Sequence, residues 1–180
     1  MEKRTVLFVD DEEMLLGSLR RSVIDEPYNS LFANSGKEAL EILKGNEVHV
    51  LVTDMRMPDM DGLELLKVVK DKHPHIIRII LSGYTDTEAL LASINQGEIY
   101  RFITKPWKSN IELKIIIRQA LEFYELHSEH DMLLNFFELW VEGLEPEAIN
   151  LEFLKGLLSE RKRRLYEWKK ECNSVPLNSQ

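Results

Sequence analysis

Val48-His49-Val50-Leu51-Val52-Thr53-Asp54-Met55-Arg56-Met57-Pro58-Asp59-Met60-Asp61-Gly62 is the stretch on which the reading of this chain turns. Its opening is a short apolar run rich in Val, the texture of a strand buried on both faces. The run stops at Asp54, which places a carboxylate at the strand's C-terminal tip. Pro58 disfavours helical geometry at Met57 and keeps the next residues in a loop. Asp61-Gly62 makes the turn, and Asp61 is placed to cap a helix beginning near Leu63. A strand, an acid at its tip and a stiff loop together present one carboxylate at a cleft.

The segments on either side repeat the same grammar. Thr5–Val9 reads as a first strand ending at Asp10-Asp11, and Leu15, Leu16, Leu19, Val23 and Ile24 recur at helical spacing. Pro27 separates that helix from a more mixed second strand at Ser30–Ala33. Ser35 and Glu38 have capping-box spacing and start a helix through Leu43, with Gly45 at its end. Val48–Thr53 is the third strand, with a helix to Lys72 behind it, and Ile76–Leu81 is the fourth. Thr85 and Glu88 open a helix to about Gly97, Arg101–Thr104 is the fifth strand, and Ser109 and Glu112 open the next helix.

Five strands alternating with helices imply a parallel sheet covered on both faces, an α/β fold. Strands one, three and four are the most apolar and belong in the middle, while two and five carry more polar residues and suit the edges. Right-handed crossovers then favour the order 2-1-3-4-5. The chain reverses direction between strands one and three, where a cleft opens at their C-terminal ends. Asp10, Asp11 and Asp54 all fall at that cleft.

Three converging carboxylates repel one another, and a proton or a cation must relieve them. One acid alone would merely solvate a loop end; three at one switch point argue for a cation. An oxygen-rich pocket with few protein ligands has the chemistry of a magnesium site, which keeps several waters. Asp11 and Asp54 are expected as direct ligands, with the backbone carbonyl of Arg56 available and Asp10 in support. Ser82 follows the fourth strand and Lys105 the fifth, so both reach the same rim. Either alone would be an ordinary turn or surface residue. Together with the acids they compose a phosphoryl-transfer set: Asp54 as nucleophile, the metal and Lys105 neutralising phosphoryl oxygens, and Ser82 bonding one of them.

These motifs resemble those of the receiver domain of two-component response regulators, the flavodoxin-like family of the chemotaxis protein CheY. The resemblance covers about residues 3–126. Asp10-Asp11 is similar to the family's acidic pair, and Asp54 with Met57-Pro58 and Asp61-Gly62 to its phosphoacceptor loop. Ser82-Gly83 matches its switch hydroxyl and the small residue beside it, Phe102 its rotating aromatic, and Lys105-Pro106 its Lys-Pro, usually joined by a cis bond. The resemblance implies that a histidine kinase or phosphotransfer protein donates a phosphoryl group to Asp54. It implies further that Ser82 then moves inward and Phe102 follows, which alters the face formed by the helix before the fifth strand, that strand and the helix after it. Haloacid-dehalogenase phosphatases also place a nucleophilic Asp after a strand, but they need a second acid two residues on. Arg56 stands there and cannot serve. A phospho-accepting regulator that catalyses only its own phosphorylation and slow dephosphorylation is therefore expected, rather than an enzyme.

The 180 residues exceed what a receiver needs. A receiver at 1–126, a helical hairpin at 127–172 and a frayed tail at 173–180 are expected. Between Leu126 and Val141 there are too many apolar residues for one exposed helix face, and Gly143 and Pro146 punctuate a turn before the helix marked by Phe153, Leu157 and Leu165. Such a surface predicts a homodimer or a helical protein partner. The net charge of −8 argues against nucleic acid, and the cluster Arg161-Lys162-Arg163-Arg164 has no reading-helix context. A DNA-binding transcriptional regulator with an atypical output domain is the alternative. His127 and His130 lack a third ligand, and Cys172 lacks an acid–base partner. No apolar run approaches the roughly 20 residues that cross a bilayer. With a single cysteine and no leader-like N-terminus, a cytoplasmic protein without membrane contact is expected.

Overall fold

The computed structural model describes residues 3–83, 99–107 and 110–141, with Gly156, Ser159, Glu160 and Arg163. The strands are β1 (Thr5–Val9), β2 (Asn29–Ala33), β3 (Val50–Asp54), β4 (Ile77–Ser82) and β5 (Arg101–Thr104). The described helices are α1 (Glu13–Ser22), α2 (Gly36–Gly45), α3 (Gly62–Lys72) and α4 (Asn110–Val141). All four strand pairings are parallel, and the order is β2-β1-β3-β4-β5. The chain is thus a flavodoxin-like α/β protein with a C-terminal helix. The helix expected from Thr85 to Gly97, the cap at Ser109 and most of the segment beyond Val141 lie outside the described residues.

Alternation along the strands sorts the core into two layers. Val6 and Phe8 of β1, Val50 and Val52 of β3, and Ile79 and Leu81 of β4 face α1 and α4. Leu7 and Val9, Leu51, and Ile80 face α2 and α3. Both faces of the central strands are buried, so their sequences read as continuous apolar runs rather than as alternation. Burying each large side chain is worth roughly 1.5–3 kcal/mol, so this two-sided core holds the sheet. In α4, Leu113, Ile117 and Ala120 are fully buried and Tyr124 nearly so, on one helical stripe.

Helix starts follow local chemistry. Ser35 caps α2 by accepting the Glu38 N–H. Glu38 does not return the bond to Ser35; its carboxylate accepts the Asn34 N–H at 2.8 Å, one residue earlier. At α3 the box is complete: Asp61 accepts from Glu64 N–H at 2.8 Å and Glu64 accepts from Asp61 N–H at 3.2 Å. The chain divides into two compact units, Met1–Glu129 and His130–Gln180. No described helix is long and apolar enough to cross a membrane.

Candidate functional site

The site lies where the chain turns to opposite faces of the sheet. From β1 it enters α1 in one layer, and from β3 it enters α3 in the other. Asp10 directly follows β1, Asp54 ends β3, Ser82 ends β4 and Lys105 directly follows β5. Four adjacent parallel strands therefore deliver these groups to one rim.

Three of them meet. Lys105 Nζ lies 2.8 Å from Asp10 Oδ2 and also contacts Asp54 Oδ1. Each carboxylate has its second oxygen on a backbone N–H two residues on: Asp10 Oδ1 accepts from Glu12 at 2.9 Å, and Asp54 Oδ2 from Arg56 at 2.6 Å. Asp10 is 1% exposed and Asp54 8%. Burial pushes the Asp10 carboxyl above its ordinary pKa, against the opposing pull of Lys105 and the Glu12 N–H. Burial works to lower the Lys105 pKa, but the hydrogen bonds and charges of Asp10 and Asp54 together hold it above its ordinary value. Lys105 is therefore a fixed cation between two carboxylates.

Further contacts support the rim. Lys105 N–H donates to Ser82 O at 2.7 Å, and Met55 N–H donates to Leu81 O at 2.9 Å. The Lys105-Pro106 bond is cis. Thr53 Oγ1, fully buried, donates to the Asp54 carbonyl at 3.0 Å. Gly62 closes the loop by donating to Met55 O at 2.9 Å. A Cβ on Gly62 would lie 2.1 Å from the Asp54 carbonyl oxygen, so α3 starts against the strand tip only because this residue has none. The sequence marks Gly62 as a turn residue; its close approach to Asp54 has no separate signature. Asp59 takes φ 65° in the same loop and bonds Lys37 Nζ at 3.1 Å.

The other expected residues are near but not in this contact set. Asp11 is exposed at the rim. Ser82 is 1% exposed, and its hydroxyl donates to Gly83 O at 3.0 Å. Phe102 stands 39% exposed on β5. The Arg56 side chain is exposed while its N–H serves Asp54.

For magnesium, the donor set is a pair of buried carboxylates with a third acid outside them. Among the described residues no three His, Cys, Asp or Glu groups form a metal cluster. That chemistry suits a hard cation that keeps most of its water and takes only one or two protein carboxylates. The Lys105 ammonium, shared by Asp10 and Asp54, shows that these two acids accept a common positive charge.

Comparison with known proteins bears on the fold that carries this site. The model of the response regulator receiver domain matches residues 6–118. The chain is 41% identical over 128 residues to the hydrogenase transcriptional regulatory protein HoxA of Cupriavidus necator, covering 71% of this chain and 26% of that one. It is 30% identical over 159 residues to the DNA-binding transcriptional regulator NtrC of Escherichia coli K12, covering 88% of this chain and 34% of that one. It thus spans between a quarter and about a third of the length of these relatives. The solved signal receiver domain of an HD domain-containing protein from Pseudomonas fluorescens Pf-5 superposes with a TM-score of 0.65 at 35% identity, covering 69% of this chain and 98% of that one. With DNA-binding regulators among the relatives, the expectation from net charge that nucleic acid is no partner finds no support here. A two-component, CheY-like α/β sheet with a family match over most of its length identifies the chain as a member of the response regulator receiver domain family.

Proposed function

We propose that this chain is a phosphorylation-controlled regulator in which Asp54 accepts a phosphoryl group from a histidine kinase or phosphotransfer protein. The observation that carries the reading is Lys105 joined to both Asp10 and Asp54 at the strand tips. An Asp54 oxygen attacks phosphorus, the bond to the donor's imidazole nitrogen breaks, and that nitrogen keeps the electron pair. The Arg56 N–H orients the carboxylate for attack. Lys105 then exchanges one carboxylate oxygen for a phosphoryl oxygen, and Ser82 turns its hydroxyl from Gly83 O toward another. Phe102, exposed beside it on β5, follows inward. Asp11, Asp54 and the Arg56 carbonyl, with Asp10 in support, would hold a magnesium ion, which would supply further neutralisation of phosphoryl charge. On this reading the domain regulates and does not turn over an external substrate, and it works in the cytoplasm.

The test is intact-mass analysis after incubation with a small-molecule phosphodonor. One phosphoryl adduct is expected with magnesium, none after chelation, and none in Asp54→Asn. An adduct that persists in Asp54→Asn, or ignores chelation, overturns the assignment.

Output through a protein contact of residues 127–172, a homodimer or a helical partner, fits the exposed Leu134 (48%) and Phe137 (55%) of α4. Light scattering on the full chain is expected to give a dimer at micromolar concentration when Asp54 is phosphorylated. A monomer in both states rules the homodimer out. The second reading, a DNA-binding transcriptional regulator, is favoured by the likeness to NtrC. Salt-dependent retention of one DNA sequence over others would promote it.

A further inference from the structure

The N-terminal ends of the strands, at the opposite end of the sheet from Asp54, hold a second buried titratable group. His49 sits just ahead of β3 and is 3% exposed. Its N–H donates to Thr5 O, and its carbonyl accepts from Ile77 N–H, both at 2.9 Å. Its Nδ1 accepts the Thr5 N–H at 3.0 Å. A ring nitrogen that accepts carries no proton, so the neutral imidazole holds its hydrogen on Nε2. Nε2 has the Glu47 carboxylate, which can accept its hydrogen, at 3.6 Å, and lies 3.2 Å from Arg4 Nη1, which cannot. The imidazole meets the Tyr124 ring edge-on, with centroids 4.8 Å apart. Arg4 lies over the same ring, 5.4 Å from its centroid, and reaches Glu125 Oε1 at 3.6 Å. His75, ahead of β4, is the remaining ionisable group that acts on His49.

We propose that Arg4, His49, Tyr124 and Glu125 form a proton-operated clasp: neutral His49 holds α4 against the starts of β1 and β3, and a proton taken from solvent by its Nδ1 releases residues 124 and 125.

A second proton has one place to go, and the Thr5 N–H already points there. Protonation turns Nδ1 from an acceptor into a donor, so the Thr5 N–H bond is lost and the ring shifts. The resulting imidazolium stands against the Arg4 guanidinium. Arg4, whose side chain is 38% exposed, is free to swing outward, and its contacts with Tyr124 and Glu125 go with it. Glu47 opposes this little, since its side chain is 69% exposed and its charge is well solvated. Burial holds the imidazole below its ordinary pKa, Arg4 pushes the same way, and Glu47 pulls against them. The clasp therefore stays closed at neutral pH and opens on acidification below the ordinary histidine range. It acts at residues remote from the phosphoacceptor and does not depend on Asp54 being phosphorylated.

Hydrogen exchange of the full chain, corrected for intrinsic rates, tests this from neutral pH to about pH 4.5, well below the ordinary histidine value. Amides of residues 120–126 are expected to exchange several-fold faster at the acid end, as the locally opened state gains population. His49→Gln offers the Thr5 N–H a carbonyl that does not titrate, and its profile is expected to be flat. A flat wild-type profile overturns the clasp. So does an equal acceleration in His49→Gln, which would place the responsible group elsewhere. If His49→Gln does not fold, nitrogen NMR of the wild type decides. His49 must titrate with the same midpoint as the Thr5 amide and the Tyr124 ring, and a ring that titrates while both stay still refutes the proposal.

Discussion

Lys105 is the residue on which the site balances. Its ammonium serves two carboxylates at once, one of them Asp10 at 1% exposure. Replacing it with Ala leaves two buried acids facing each other and removes a charge-assisted contact worth about 1.5–3 kcal/mol. A switch poised within a few kcal/mol cannot absorb that loss. Phosphorylated Lys105→Ala is therefore expected to lack the change in oligomeric state or partner binding that the phosphorylated wild type shows. A wild-type response would remove Lys105 from the switch. The meeting of Asp10, Asp54 and Lys105 was legible in the sequence because each directly ends a strand, and parallel strands align their ends. Gly62, His49 and Glu26 were not legible in their roles. A close backbone approach and a buried polar contact across distant segments leave no period or spacing to read.

Among the elements, β1 and β5 have the bounds expected from the sequence, while β3 begins two residues later than its apolar run. The reason is His49: Thr5, the first residue of β1, gives its N–H to the imidazole rather than to a main-chain carbonyl, and the ladder starts at Val6↔Val50. The cap of α2 shows a similar displacement, since Glu38 finds the Asn34 N–H. Local chemistry was thus readable to within a residue or two, and tertiary contacts moved the ends. In α1, Gly17 sits mid-helix, and a Cβ there would meet only Arg21 Nη1 at 3.7 Å, an ordinary contact at the end of a flexible side chain. No intramolecular packing requires that glycine. Gly17→Ala is expected to raise unfolding stability by roughly 0.5–1 kcal/mol, the cost of Gly in a helix interior. Urea denaturation would show it as a higher midpoint at unchanged slope. An unchanged or lower midpoint would mean that α1 gains no helix stability at this position.

In the receiver unit as a whole, α4 is tied back to the start of the chain by charge as well as by apolar packing. Glu26, in the connection between α1 and β2, is 6% exposed. It receives Arg118 through two bonds of 2.8 and 3.0 Å, and Lys114 at 3.2 Å. The Arg118 hydrogen bonds are the main cause that holds the Glu26 carboxyl below its ordinary pKa; burial opposes them and Lys114 assists. With the folded value below the unfolded one, the unfolded chain takes up the proton first as pH falls. The contribution of Glu26 is thus complete above the unfolded value, near the 4.5 of a free Glu, and is lost as pH falls through the folded value. His49 follows the same sign in a higher window, since its folded value is also depressed: its contribution is complete above the ordinary 6.5 and is lost on acidification from there. Asp10, with a raised folded value, runs the other way and gains stability as it protonates. Two losses are therefore expected as pH falls, one setting in below the ordinary His value and the other below that of Glu. Arg118→Met keeps the length and apolar stem of the side chain and removes the charge. The variant is expected to lose the part of the slope below the Glu range while keeping the part near the His range. Urea titrations of both proteins from neutral pH into the acid range measure this directly. If Arg118→Met keeps the whole acid slope of the wild type, the buried carboxylate is not what joins α4 to the α1–β2 connection, and the apolar stripe of Leu113, Ile117 and Ala120 holds the helix there without it.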